Sequence, residues 1–548
     1  MRKTRPSESV SRKQWLTLFV LCLAVLIAVV DVTVVNVTIP AMRAEFNVEL
    51  NQVEWVIDLY ALVFAAFIIA WGKLGDQFGR RRMFIAGLVT FGAGSLMVGL
   101  APSLGVVIVG RVIQGMGAAM VSPATLSLLS STFSGNMRGV AFGLWGSTAG
   151  VAGALGPLLG GYFTTYTSWR WAFLINLPIC VVAIAGALLA VEESRDVEHS
   201  HRIDLVGMAL AAVGFAAIVF PLIEGQTYGW WAPRSTFQLG SWVWPLTGLS
   251  VTPVAFLLGL TFLGAFVVYE RRLEEQGGEP LFAFSLLRFR GFRYGLLTAL
   301  IVSLGEFGVL FVMPVYLQVA RGLSAFDASL VLLPFALSMF VFAPMAGMLA
   351  ARFGAKWVVT GGMVCEAASL FWLSRILAPD MPFITMTPML VLYGIGTGLA
   401  TAQLTNITLS DIPRKQAGAG SGANNTVRQV GSAIGVAILG AILAAQIATV
   451  GQAELSANVI VPPTAKPAIA QLLDNGLSGD APQGAAPGAA NSPVGRAVQQ
   501  IVDDSITAGT RAAAVAAGIF VVFGALSSLR IPPGAESAQA EWQGTLAE

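Results

Sequence analysis

Long apolar runs, separated by short polar breaks, dominate the chain from about residue 15 onward. About 20 predominantly apolar residues are what an α-helix needs to cross the hydrocarbon core of a bilayer. Runs of that order fall at 15–39, 53–72, 83–101, 104–127, 140–162, 171–191, 204–223, 246–269, 294–317, 325–350, 357–377, 385–409, 425–449 and 506–529. The pattern therefore predicts an all-α membrane protein of fourteen transmembrane helices. Two breaks are long. Residues 225–245 carry Trp230, Trp231, Trp242 and Trp244, and indoles favour the lipid–water interface, so this loop reads as an aromatic belt. Residues 451–505 are rich in Ala, Pro and Gly. They predict a largely flexible external loop with short helical pieces. The segment 280–293, PLFAFSLLRFRGFR, alternates apolar and basic residues. It suits an amphipathic helix lying on the cytoplasmic leaflet.

Positive charge sets the register. With the amino terminus inside and every run crossing, inward segments hold 22 of the 32 Lys and Arg residues. Outward loops hold seven (Arg43, Arg170, Arg234, Arg321, Arg375, Lys466 and Arg496), and Arg111, Arg428 and Arg511 lie in or beside spans. That bias follows the positive-inside rule, and deleting one helix would scramble it. Both termini are expected in the cytoplasm, with the chain in a plasma membrane. The first run exceeds the roughly 7–15 apolar residues of a cleavable signal, so it reads as a permanent helix.

Composition narrows the function classes. Only 11% of the 548 residues are charged, against about a quarter in soluble domains. The net charge of +2 gives no reason to expect nucleic acid as a partner. Cys22, Cys180 and Cys365 each sit in an apolar run and read as small buried side chains. The two histidines, His199 and His201, share one charged stretch, so neither a metal site nor a histidine-based active site is expected. No GxxxxGK[ST] loop occurs, so ATP is not the direct energy source. No cofactor is called for, and no HExxH or comparable cluster supports a membrane-embedded enzyme.

The chain also echoes itself. GKLGDQFGRRR at 72–82 recurs weakly as GMLAARFGAK at 347–356, an offset of 275. Parallel halves of this kind imply two six-helix bundles with the site at their seam. The expected layout is a cytoplasmic tail at 1–14 and an N-terminal bundle at 15–191. Two extra helices with linkers fill 192–293, a C-terminal bundle spans 294–529, and a cytoplasmic tail covers 530–548. In the 72–82 loop, Gly72, Gly75 and Gly79 permit close helix ends and a tight turn. Asp76 can face a helix N-terminus, and Arg80, Arg81 and Arg82 can anchor at anionic headgroups. The second copy has Ala351 in place of Asp76, so a latch there lacks the charge.

Acidic groups inside spans are costly and are functional candidates by default. Counted at 1.5 Å per residue, Asp31 in the first run and Arg111 in the fourth both fall roughly 10 Å below the outer face, where they can meet. Glu306 lies mid-span in the ninth run, which should line the cavity; it is a candidate for binding cations or carrying a second proton. Asp58 with Trp55 and Tyr60 can form a polar–aromatic contact for a cation. Glu366 is assigned to helix-to-helix hydrogen bonding and Glu224 to a solvated helix end. Gln403 and Asn406 can offer neutral hydrogen bonds toward a cavity. Arg428, with Asn424, Asn425 and Gln429, is assigned to helix capping and a headgroup contact. Gly146, Gly150, Gly153, Gly156 and Gly160 recur at spacings of three and four. They form a bare helix stripe, bent at Pro157, for close packing or sliding.

Several of these segments resemble one family. Residues 72–82 resemble the loop signature of the major facilitator superfamily. Asp31-Val-Thr-Val-Val-Asn-Val-Thr-Ile-Pro40 is similar to the first-helix motif of its fourteen-helix drug:proton antiporters, the EmrB/QacA type. Gly110-Arg-Val-Ile-Gln-Gly-Met-Gly117 is similar to that group's fourth-helix motif, and Gly146–Gly161 to its fifth-helix antiporter motif. The resemblance implies proton coupling at Asp31 and Arg111, and a latch between the halves at 72–82. It also implies export of hydrophobic, often cationic molecules in exchange for protons through an apolar, aromatic cavity. Membrane lipids are expected as partners, and a monomer as the working unit. Export of lipids or lipid conjugates on the same fold, proton-coupled nutrient uptake and a non-transporting sensor are the alternatives.

Overall fold

The computed structural model describes residues 11–48, 50–194, 204–239, 242–413, 416–474 and 492–532. Most of the N-tail, the stretch with His199 and His201, Arg414 and Lys415, residues 475–491 and most of the C-tail therefore lie outside the described residues. Among the described residues, fourteen helices are long and apolar enough to cross a membrane. They are α1 (Arg12–Phe46), α2 (Leu50–Phe78), α3 (Arg80–Gly99), α4 (Leu104–Thr132), α5 (Gly135–Tyr166), α6 (Trp171–Ala190) and α7 (Leu205–Tyr228). The rest are α8 (Val251–Glu275), α9 (Arg290–Ala320), α10 (Ala325–Phe353), α11 (Ala355–Ile376), α12 (Phe383–Ser410), α13 (Ala417–Ala457) and α14 (Pro493–Ser528). Helix starts carry expected chemistry. Ser11 forms a capping box with Gln14, and Ser324 and Ser492 accept backbone N–H groups of α10 and α14.

Two sets of six helices pack in the same way. In the first, α1 packs on α5, α3 on α4 and α6, and α2 on α4; in the second, α9 packs on α13, α11 on α12 and α14, and α10 on α12. Helices α7 and α8 pack on each other, and α7 rests on α2 and α13, at the junction of the sets. The repeat reaches the backbone. Gly79, which joins α2 to α3, has φ +112°, and Gly354, which joins α10 to α11, has φ +84°. Both turns require a conformation that side-chain-bearing residues avoid, and the two positions differ by the same 275 residues.

The halves meet near the end where α1 starts and α14 stops. A Cβ on Gly143 of α5 would lie 2.8 Å from Cα of Pro344 in α10, and one on Gly347 of α10 would lie 2.6 Å from the carbonyl carbon of Gly139. Gly72 of α2 approaches Gly418 of α13 as closely, 2.6 Å from its carbonyl oxygen. Gly72 and Gly347 occupy matching places in the repeat, so each half offers a bare helix surface to the other. One apolar cluster crosses this seam, from Leu18, Ile69 and Leu129 to Phe292, Leu409 and Ala423. We expect Gly143→Val to prop the seam open. Distance measurements between spin labels on α5 and α10 should show the short population lost.

Three expectations change. The segment 280–293 is no surface helix: it forms a short 3₁₀ turn at Phe284–Arg288 and then enters α9. Leu281, Phe282, Leu286 and Phe292 are buried in the seam cluster, because their apolar side chains fill the space beneath α8. The eighth span is displaced toward the carboxyl side, at Val251–Glu275 rather than 246–269. The preceding loop folds a small antiparallel pair, β1 (Gln238–Leu239) and β2 (Trp242–Val243), with Trp242 edge-on to Trp244. Finally, much of 451–505 is ordered. Helix α13 continues to Ala457, a short helix spans Lys466–Asp474, and α14 begins at Pro493. Leu455, Val461, Leu473, Ala497 and Ile501 join the core of the second half, so the loop has apolar anchors that its composition obscures.

Candidate functional site

Asp31 and Arg111 meet. They form an ion pair between α1 and α4 with side chains 0% and 1% exposed. Gln114, one turn past Arg111, donates to Asp31 Oδ1 at 2.9 Å and accepts from Arg111 at 3.0 Å. Asn176 of α6 donates to the same Asp31 oxygen at 3.1 Å. Ser95 of α3 accepts from both amides and donates to the Phe173 carbonyl. Arg111 Nε donates to the Val56 carbonyl at 2.9 Å, and its guanidinium lies 4.3 Å from the centre of the Tyr60 ring. Five helices thus contribute to one network around this pair. A buried ion pair tolerates desolvation only when its remaining donors and acceptors are satisfied, and this network supplies partners to both Asp31 oxygens and to Nε and Nη1 of Arg111. Residue reading missed Ser95 and Asn176, single polar side chains in apolar runs whose facing no spacing rule reveals.

The second half holds a counterpart. Glu306 of α9 accepts from Arg428 of α13 at 3.2 Å and from the Thr401 hydroxyl of α12 at 2.6 Å. Asp31 and Glu306 are separated by 275 residues, the repeat offset, so each half places a carboxylate at the same level of its first helix. The offset itself was the signal that could have linked them. The arginines differ in origin, the fourth helix of one half and the fifth of the other. Arg428 is therefore no headgroup contact. It lies eleven residues beyond the first residue of α13, Ala417, which carries it well below the helix end. Asn425, by contrast, donates across the seam to Ser122 of α4 at 3.0 Å.

At the seam, Asp76 accepts from the N–H groups of Gly418 and Ala419 at 2.9 and 3.0 Å, at the N-terminus of α13, where the helix dipole favours an anion. Arg80 pairs with Asp76 at 2.7 Å and is buried. It faces inward to hold the carboxylate, not outward to headgroups. Arg81 donates to the Leu188 carbonyl, and Glu193 receives the backbone N–H groups of Arg81 and Arg82. Gln403 is buried and donates to the Gly139 carbonyl at 3.1 Å, and Asn406 donates to Gln403. Both belong to the closed seam here rather than to an open cavity.

Asp58, Trp55 and Tyr60 do not form one contact. At about 100° per residue, positions 55 and 60 diverge around α2. Trp55 stacks on Phe220 of α7, centroids 6.4 Å apart, while Tyr60 turns to Arg111. Asp58 hydrogen-bonds Glu224 of α7. Glu224 is buried, not solvated, and ties an extra helix to the first half. The glycine stripe of α5 likewise divides. Gly146 and Gly150 face Ala402 and Met339 of the other half, Gly156 and Gly160 face Thr33 and Val34 of α1, and Gly153 faces open space. Helix α5 runs unbroken through Pro157. An apolar pocket walled by Val309, Met313, Phe335, Leu370, Met389 and Tyr393 lies inside the second half, not at the seam where a cavity was expected.

The fold and these motifs define a membrane carrier, and the sequence matches the Major Facilitator Superfamily model over residues 21–202 and 194–436. The chain belongs to the Major Facilitator Superfamily: it is a multi-pass membrane transporter, not an enzyme. It is 33% identical over 438 residues, 78% of this chain and 72% of the relative, to the probable actinorhodin transporter of Streptomyces coelicolor. It is 31% identical over 435 residues, 78% of this chain and 82% of the relative, to the puromycin resistance protein pur8 of Streptomyces alboniger. The multidrug resistance protein Stp of Mycobacterium tuberculosis is 30% identical over 464 residues, 84% of this chain and 82% of the relative. In fold, it is similar to the human organic anion transporter MFSD10, with TM-score 0.56 and 13% identity over 94% of this chain and 99% of that one.

Proposed function

We propose that this chain exports hydrophobic, often cationic small molecules in exchange for protons, by alternating access between its two halves. The observation that carries the reading is the buried Asp31–Arg111 pair, repeated in kind by Glu306–Arg428. A carboxylate paired inside a bundle can take up a proton when its arginine is drawn away, and release it when the pair reforms. In the present conformation Asp31 is sealed and the halves are latched at the terminal side. Antibiotic transport and resistance in the relatives' names support small-molecule export. The positive-charge bias supports placing the latched side, and both termini, in the cytoplasm. On this reading the conformation is closed toward the cytoplasm, and protons and membrane lipids are the expected partners.

The test is transport in proteoliposomes under an imposed pH gradient, with a cationic dye, a neutral dye and a fluorescent lipid. We expect gradient-driven movement of the cationic dye. Glu306→Gln should weaken cation export more than neutral export. Dye movement indifferent to the gradient refutes proton exchange, and movement of the lipid alone refutes the drug reading.

A further inference from the structure

Glu366 sits midway along α11, fully buried, and neither carboxyl oxygen has a hydrogen-bond partner. The helix-to-helix hydrogen bond expected of it is therefore not made. Its backbone packs against Gly396 of α12, where a Cβ would meet Glu366 N at 2.6 Å, so the side chain cannot drift far from the bundle. Within electrostatic reach of it are the Tyr393 phenol of α12, beside the Thr397 hydroxyl, and Arg428 of α13, whose Nη1 has no hydrogen-bond partner. Each such group is costly to bury alone. Their concentration around one carboxyl marks a place whose polar groups find partners in another state or with a ligand.

The charges facing Glu366 are few. Glu306 from α9 and Arg428 from α13 lie within Coulombic reach, and the Tyr393 phenol faces it from α12. From α14, Arg511 is engaged by the Leu377 carbonyl. From α10, Asp327 and Arg352 lie at the helix ends. One guanidinium thus serves two carboxyl groups and in this conformation binds Glu306 alone. A buried carboxylate without a donor is costly, and the protonated carboxyl is the less costly form there.

We propose that Glu366 is a second proton-binding site, loaded in this conformation and emptied when Arg428 turns to it. The exchange balances without a further reactant. The O–H bond of the Glu366 carboxyl breaks, the proton passes to water admitted by the opening bundle, and the new carboxylate takes a charge-assisted hydrogen bond from Nη1 of Arg428. Glu306, deprived of its arginine, takes up a proton or a cationic substrate. Arg428 acts as the switch that leaves no carboxylate of the pair Glu306 and Glu366 without a positive charge or a proton. The inference rests on the proton-exchange reading but has its own readout.

Infrared difference spectra of the purified full-length protein at neutral pH should contain the C=O stretch of a buried protonated carboxylic acid. Glu366→Gln should remove that band, Glu306→Gln should weaken it because Arg428 loses its partner and is free to turn to Glu366, and Glu366→Asp should restore one at a shifted position. In proteoliposomes, Glu366→Gln should lower gradient-driven export about a hundredfold, the low end of what a positioned proton carrier contributes, with dye affinity little changed and Glu366→Asp recovering part of the rate. A band that survives in Glu366→Gln, or full export by that variant, overturns the proposal. If the wild type shows the Glu366 band but no gradient-driven export, the proton-exchange reading fails on its own while the buried acid stands.

Discussion

Arg111→Ala should lower the stability of the folded protein by about 3–5 kcal/mol, because it leaves the Asp31 carboxylate buried without its counter-charge. Asp31, Gln114 and the Val56 carbonyl would all lose a donor at once. Thermal unfolding in detergent, followed by tryptophan fluorescence, measures the loss. Asp31→Asn is the milder change. It keeps the shape and the Gln114 and Asn176 contacts on one side, and it should stop gradient-driven export while the protein stays folded. The double variant Asp31→Asn, Arg111→Met separates stability from function. Replacing both members of a buried pair by packed neutral side chains is often neutral or stabilising, so most of the stability should return and the coupled flux should not. Recovery of flux in the double variant would remove the first-half pair from the mechanism and leave the second half to carry it.

The second large effect is expected at the latch. Asp76→Ala withdraws the acceptor of the Gly418 and Ala419 N–H groups and leaves Arg80 buried without its carboxylate. At about 3 kcal/mol or more for an orphaned buried charge, the balance between closed and open seam should shift by about a hundredfold. Ser122→Cys and Asn425→Cys, placed where those side chains now hydrogen-bond across the seam at 3.0 Å, provide the reporter. Cys22, Cys180 and Cys365 should be replaced in the same background. Disulfide formation between the two reporters should be rapid with Asp76 present and slow in Asp76→Ala. Equal rates in both would mean that the glycine contacts Gly72–Gly418 and Gly347–Gly139 hold the seam without the ion pair. Asp76→Asn, which keeps an acceptor, should fall between.

Much of this architecture was open to reading from residue order. A hydrocarbon slab demands a run of set length and tolerates few charges, so fourteen spans stand out in any pass along the chain. Depth follows from counting, which is why Asp31 and Arg111 could be matched before any coordinates. The glycine-rich turn and its weaker copy carried the two-fold repeat. Facing could not be counted in this way. Whether Trp55, Asp58 and Tyr60 share a surface, or Gly146 and Gly156 one partner, depends on which neighbour each side of the helix meets. That depends in turn on crossing angles that many weak contacts set together.

Pairing was hidden for the same reason. The apolar run begins beside Arg428, which marks it as terminal; the packed bundle extends α13 to Ala417 and draws the arginine to Glu306. The 280–293 segment looked amphipathic, yet its apolar residues are claimed by the seam. Glu366 looked like an ordinary interhelical donor, and packing left it without a partner. One-dimensional order settles which groups enter the membrane and how deep they go, since transfer free energy acts on each residue by itself. Which of those groups touch is a property of the assembled helices, since a hydrogen bond or ion pair exists only when two elements far apart in the chain arrive at one place.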